Sequence, residues 1–359
     1  MTIATKAAPV TGVPSPPVAV ERVPWHQRPR TWMIAAAVAL LSAAAVVSAA
    51  TVDSDSGTDL LGLAGSVAND IVRMRWQYAA IVVVLAGLHY LATAIAARTA
   101  AGLPLPLGET VLVQLAAAAA NRLTPAGLGG SAVTARYFTR RGLTAPGAVG
   151  AVVALAVLGA AADLLVATGL VLGGTWFGLT GSTREIGRLL THVTHLLGPL
   201  RSPWLWAAVA AFGAAALGMW IARHRSGRLQ RWVQVWHPVR RLVHRPTALA
   251  TLLVASGCTT LVLGFAFVVT TQVVPGPQPV GGLGALLIGF MLGSAAGTAV
   301  PVPAGLGSTE AALIAVLISV KVPAAHAVEE VLIFRLLTFW MPALVGILTT
   351  RALYRRHAL

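Results

Sequence analysis

Six stretches of this sequence, residues 31–51, 78–97, 147–172, 204–222, 248–272 and 328–350, are nearly free of charge. Each is about as long as a helix must be to cross a hydrocarbon core, roughly 20 residues. The chain is 57% hydrophobic and 10% charged, more apolar surface than a water-soluble core can hide. From residue 31 onward no polar interval leaves room for a separate globular enzyme. The expectation is an all-α polytopic membrane protein.

Two further apolar regions are interrupted rather than continuous. The first, 109–141, breaks at Thr124-Pro125-Ala126-Gly127-Leu128-Gly129-Gly130; the second, 283–320, breaks at Pro301-Val302-Pro303-Ala304-Gly305-Leu306-Gly307. Both breaks read Pro-Ala-Gly-Leu-Gly, with the shared prolines 178 positions apart, and the same offset carries Ala117-Ala118 onto Ala295-Ala296. The chain therefore reads as two copies of one unit, about 31–175 and 204–350. Proline removes a backbone donor and glycine admits unusual dihedrals, so each break frees polar groups that lipid cannot satisfy and that must be buried or line a cavity. Two re-entrant helical hairpins accommodate this, giving six full spans plus two hairpins, about eight hydrophobic segments. Three full spans per copy is an odd number, which makes the second copy inverted. Two kinked but complete spans fit the same pattern and remain the alternative.

Charge sets the orientation. Arg22, Arg28 and Arg30, then Arg98, then the loop from Arg223 to Arg245, then Arg351, Arg355 and Arg356 should be cytoplasmic, with both termini on the cytoplasmic side of the cell membrane. Asp53, Asp55, Asp59 and Asp70 occupy one external connection, while Arg184, Arg188 and Arg201 run against the rule in another. Residues 1–30 are Pro-rich and read as a disordered cytoplasmic tail, 31–350 as the membrane domain and 351–359 as a basic tail. The 31–51 run is too long for a signal-peptide core and reads as an uncleaved first span. The formal charge of +15 does not point to nucleic acid, because Lys and Arg sit in short segments between apolar runs. Cys258 is the only cysteine, so an intramolecular disulfide is excluded.

The candidate site residues surround the two breaks. A new helix starts near Gly129-Gly130-Ser131 and near Ser308-Thr309-Glu310, where N–H groups and the positive dipole end attract phosphate or carboxylate. Arg122, Arg136, Arg140 and Arg141 flank the first break, and a guanidinium suits a lipid phosphate; anchoring to anionic headgroups serves Arg140 and Arg141 equally well. Glu310 complements its helix dipole, binds a cation or simply caps with Ser308. A buried Arg335 needs a partner, and Glu310 can reach it through tertiary packing while Glu330 is not an ideal helical neighbour. Asp163 must face a cavity, a neighbouring helix or an interface. His89 is the residue of a hydrogen-bonded packing contact more often than of a proton relay, and His192 with His195 is weak as a metal pair. There is no Walker A sequence, no HExxH and no GxSxG with partners, and no cofactor is expected.

The segments Asn121-Arg122-Leu123-Thr124-Pro125-Ala126-Gly127-Leu128-Gly129-Gly130 and Pro301-Val302-Pro303-Ala304-Gly305-Leu306-Gly307-Ser308-Thr309-Glu310, with Arg335 beyond, resemble the lysylphosphatidylglycerol synthase transmembrane (flippase-like) family. Ala126 and Ala304 depart from it, standing where glycine is often found. The resemblance implies movement of lipid between leaflets, with a groove formed by Arg122, Pro125, Gly127, Gly129, Gly130, Arg136, Asp163, Pro303, Gly305, Gly307, Ser308, Thr309, Glu310 and Arg335. Two-part members of the family add a soluble aminoacyl-transferase domain, which is not expected here, so the chain is not expected to be an enzyme. The implied partners are membrane lipids with anionic headgroups, and a separately encoded lipid-modifying enzyme. A non-transporting scaffold that docks such an enzyme through the Arg223 to Arg245 loop is the alternative.

Overall fold

The computed structural model describes residues 73–122, 124, 128–176, 228–280, 282–299 and 307–355, all within one compact unit, Leu41–Leu359. The expected spans at 31–51 and 204–222, the tail 1–30 and the break residues Pro125, Gly127, Pro303 and Gly305 lie outside the described residues. The other four expected spans are present, as helices long and apolar enough to cross a membrane: Trp76–Ala101, Ala145–Gly173, Pro246–Thr270 and Ala324–Thr350.

Small residues at helical spacing decide how these spans pack. Helix α1 (Trp76–Ala101) buries Ala79, Val82, Ala86, Tyr90, Ala94, Ala97 and Ala101 along one stripe and ends on Gly102, whose φ of +63° suits a residue without Cβ. That stripe lets the backbone of its main partner come close, which is how apolar helices associate when lipid offers no hydrophobic contrast. The partner is α6 (Pro246–Thr270), begun by a proline at its first turn. The two run antiparallel: Arg75 N–H donates to Val273 O at 2.9 Å at one end and His89 Nδ1 lies 3.2 Å from Thr259 O midway. At the other end Ala100 and Leu252 share a small core. His89 is thus a packing contact.

Helices α2 (Leu107–Arg122) and α3 (Leu128–Arg140) form a hairpin. Its open end is tied by the Arg141–Glu109 ion pair and by Thr110 Oγ1 against Tyr137 Oη at 3.2 Å. Tyr137, Phe138, Ala97, Leu105 and Leu353 make the core there. Helices α7 (Gly282–Ala299) and α8 (Ser308–Ser319) form a second hairpin, closely packed because Gly289 and Gly293 lie against Val316 and Leu313. Its open end is tied by Val280 N–H donating to Val320 O at 2.8 Å, beside Val273, Val274 and Val322 at the opposite end of the molecule. The two hairpins therefore open at opposite ends.

The remaining helices are α4 (Ala145–Trp176), α5 (Arg228–Val243), α9 (Ala324–Arg335) and α10 (Met341–Arg355), the last two joined through a π-helical segment, Leu336–Trp340. Pro342 explains the π segment: its ring would collide with the carbonyl four residues back and it offers no N–H, so the helix widens before it. Several packing pairs recur along the chain: α1 on α2 and α6 on α7, α2 on α3 and α7 on α8, α3 on α4 and α8 on α9, α2 on α10 and α7 on α4. A shift of 178 residues lays α2, α3 and α4 on α7, α8 and the α9 to α10 run to within about three residues at each helix end.

Gly346 shows how tight the α2–α10 contact is, because a Cβ there would overlap the Leu115 carbonyl oxygen. Gly346→Ala should therefore lower the unfolding temperature in detergent, by the equivalent of about 1–3 kcal/mol. Gly87→Ala, at a position with nothing within 4 Å, should not lower it.

Candidate functional site

Both hairpin tips converge on the π segment. Arg122, the last residue of α2, is 9% exposed and sends its guanidinium to two carbonyls, Ala118 O of its own helix and Phe339 O across the molecule. Its charge also complements the C-terminal dipole of α2. Its Cζ lies 3.8 Å from the centroid of the Phe339 ring, and Tyr90 of α1 faces the same group. Glu310, in the first turn of α8, accepts from Gly307 N–H through Oε2 at 2.7 Å, while Oε1 lies 2.8 Å from Nε of Arg335. Gly307 holds φ at +86°, a turn that glycine adopts without strain. Arg335 in turn places its Cζ 4.5 Å from the centroid of the Phe339 ring.

Two guanidiniums thus lie over one aromatic ring and one of them pairs with the Glu310 carboxylate, leaving a net positive charge buried there. The cluster is incompletely satisfied. Among the described residues Arg122 Nε and Arg335 Nη2 have no hydrogen-bond partner, and the Arg335 Nε to Glu310 contact is an ion pair without the linear geometry of a hydrogen bond. Buried donors of that kind are expensive unless an acceptor arrives. An anionic oxygen is the acceptor that matches them in charge and geometry.

The sequence-derived candidates divide clearly. Arg122, Glu310 and Arg335 come together, and the expected Glu310–Arg335 meeting is present. Gly307, Ser308 and Thr309 build the tip: Ser308 Oγ donates to Gly297 O at 2.7 Å and Thr309 is buried against Gly297. Gly129 and Gly130 build the other tip, but their N–H groups are taken by Thr124 Oγ1 and Asn121 Oδ1, and a Cβ at either would strike α2 or Thr124. They serve close packing rather than offering open donors. Arg136 is exposed on α3. Asp163 accepts from Thr260 Oγ1 on α6 and is also exposed. Pro125, Gly127, Pro303 and Gly305 lie outside the described residues.

Two contributors escaped the sequence reading. Phe339 and Tyr90 are aromatic residues inside apolar spans, where nothing marks them as cation partners. Pro342 and the i, i+4 spacing of Arg335 and Phe339 were the available signals.

Four helices long and apolar enough to cross a membrane define a multi-pass membrane protein. The model of the family described as "Lysylphosphatidylglycerol synthase TM region" matches residues 34–346, and the chain belongs to that family. No curated protein matches it.

The Arg335–Glu310 pair should be felt in stability. Arg335→Leu strands the Glu310 carboxylate and should cost about 3–5 kcal/mol, measured as a fall in thermal unfolding temperature in detergent. Adding Glu310→Gln to Arg335→Leu should recover part of that loss.

Proposed function

We propose that this protein is a lipid flippase that holds an anionic headgroup at the Arg122, Arg335 and Phe339 cluster while the acyl chains stay in the bilayer. The observation that carries this reading is the buried, net positive, incompletely satisfied cluster where the hairpin tips converge. A phosphate would supply acceptors for Arg122 Nε and Arg335 Nη2 and balance the charge that Glu310 alone leaves over.

The architecture of the reading is an inverted repeat with two re-entrant hairpins. Its support is threefold. Helices α1 and α6, equivalent in this reading, run antiparallel, as an axis lying in the membrane plane requires. Several packing pairs of one half, described above, have counterparts in the other. Helices α2 and α3, of 16 and 13 residues, reach about 24 and 20 Å at 1.5 Å per residue, short of a hydrocarbon core of about 30 Å, and they open at one end of the molecule while α7 and α8 open at the other. Arg98, Arg140, Arg141, Arg240, Arg241, Arg245 and Arg355 gather towards the α2–α3 opening, with Glu109 among them. That end is the cytoplasmic one in this reading.

No chemical step is assigned to the chain, and an enzyme that makes or consumes the lipid would be a separate partner. The scaffold alternative draws on α5, whose arginines and exposed Trp236 lie beside α4 at the basic end.

Two measurements decide between them. The purified wild type should retain one class of anionic lipid, seen by native mass spectrometry, and should accelerate movement of a fluorescent anionic phospholipid between the leaflets of reconstituted vesicles. Arg122→Gln should lower both by about tenfold, the worth of one charge-assisted hydrogen bond. Retained lipids that merely match the bulk membrane, with no accelerated movement, sink the flippase and leave the scaffold.

A further inference from the structure

Away from the tips, at the end where α7 and α8 open, the first turns of α9 carry three titratable side chains in a row. Glu330 is 1% exposed, and neither of its carboxylate oxygens meets a hydrogen-bond donor among the described residues. His326 places Nε2 3.4 Å from Glu330 Oε1 and Nδ1 3.2 Å from Glu329 Oε2. Side-chain exposure falls along this series, from 22% at Glu329 to 12% at His326 and 1% at Glu330. The Nε2–Cε1 edge of the imidazole lies against exposed Gly276, where a Cβ would overlap the ring.

We propose that Glu330 is a proton-binding site and that His326, with Glu329 at its rim, is the relay that loads it. A carboxylate this deeply buried and without a donor is far costlier ionised than neutral, so it binds a proton whenever one can reach it. The proton enters at His326 Nδ1, where Glu329 stabilises the imidazolium, and leaves from Nε2 to Glu330 Oε1. Nε2 and Oε1 are not aligned for a hydrogen bond in this structure, and since both residues ride on α9 a rotation of the His326 side chain makes or breaks the relay.

The surroundings favour a proton over a metal ion. Among the described residues no three His, Cys, Asp or Glu side chains converge as metal ligands. The elements packed on α9 add little charge: α6 has none, its one titratable group being the exposed Cys258, and α8 has Glu310, already held by Arg335. The π segment has none, and the α8–α9 turn has only the exposed Lys321. Neighbouring Val273, Val320, Val322 and Val331 keep the site apolar.

Glu330 and Arg335 share one helix, five residues or about 7.5 Å apart along its axis. Proton binding at one end of α9 therefore acts on the element that carries the headgroup cluster, and in the flippase reading, on which this last clause rests, a proton gradient drives the movement there.

The test is infrared difference spectroscopy between acidic and alkaline buffer on the purified full chain in lipid nanodiscs. The wild type should show a protonated-carboxyl band that Glu330→Gln removes and whose pH midpoint His326→Gln shifts. A band unchanged in Glu330→Gln overturns the proposal, and so does a band that responds to sodium at constant pH, which would make this a metal-cation site. In vesicles with an imposed pH gradient, lipid movement by the wild type should follow the gradient and that by Glu330→Gln should ignore it. A wild type indifferent to the gradient overturns the coupling. If it moves no lipid at all, the flippase reading fails while the infrared titration still decides the proton site.

Discussion

Lipid forms no hydrogen bonds, and nearly everything distinctive in this molecule follows from that. A helix that breaks inside the bilayer exposes carbonyl and N–H groups that the protein itself must satisfy. Here the satisfaction is mutual. The guanidinium of Arg122 closes the end of α2 by binding Ala118 O and reaches Phe339 O, a carbonyl of the π segment. Glu310 closes the start of α8 through Gly307 N–H and at the same time neutralises Arg335. One cluster thus answers two broken helices and a widened one.

The close approach of the helices rests on small residues rather than on large apolar ones. Gly346 admits the α2 backbone, Gly129 and Gly130 admit the turn of α2, and Gly297 admits Thr309. Lipid tails are as apolar as leucine, so association is won by contact distance and by hydrogen bonds made inside the protein. The exposed apolar side chains of α4 and α1, such as Leu164, Leu165, Val84 and Trp76, suit contact with lipid.

The long spans were legible from apolar length alone, since hydrocarbon thickness sets that length whatever the neighbours. The helix ends at Arg122 and Ala299 and the new starts at Leu128 and Ser308 were legible from the Pro-Ala-Gly-Leu-Gly runs, because breaking a helix is a property of local backbone chemistry. The Glu310–Arg335 meeting was legible too, since a buried charge needs an opposite one and few are on offer. Asp163 meets a neighbouring helix, one of the surroundings that a charge inside a span requires. Which face a charged side chain takes is less legible, since one residue along a helix turns it by about 100°.

The sequence by itself determined the helical class, the four described spans and the places where the helices break, all from hydropathy and backbone chemistry. Tertiary structure alone decided that α1 lies antiparallel to α6, that Phe339 receives two guanidiniums, and that His326 bridges Glu329 towards a buried Glu330. The reason is physical: span length and helix breaks are local quantities, whereas which charge meets which ring depends on the rotation and depth of packed helices, set jointly by every contact in the bundle.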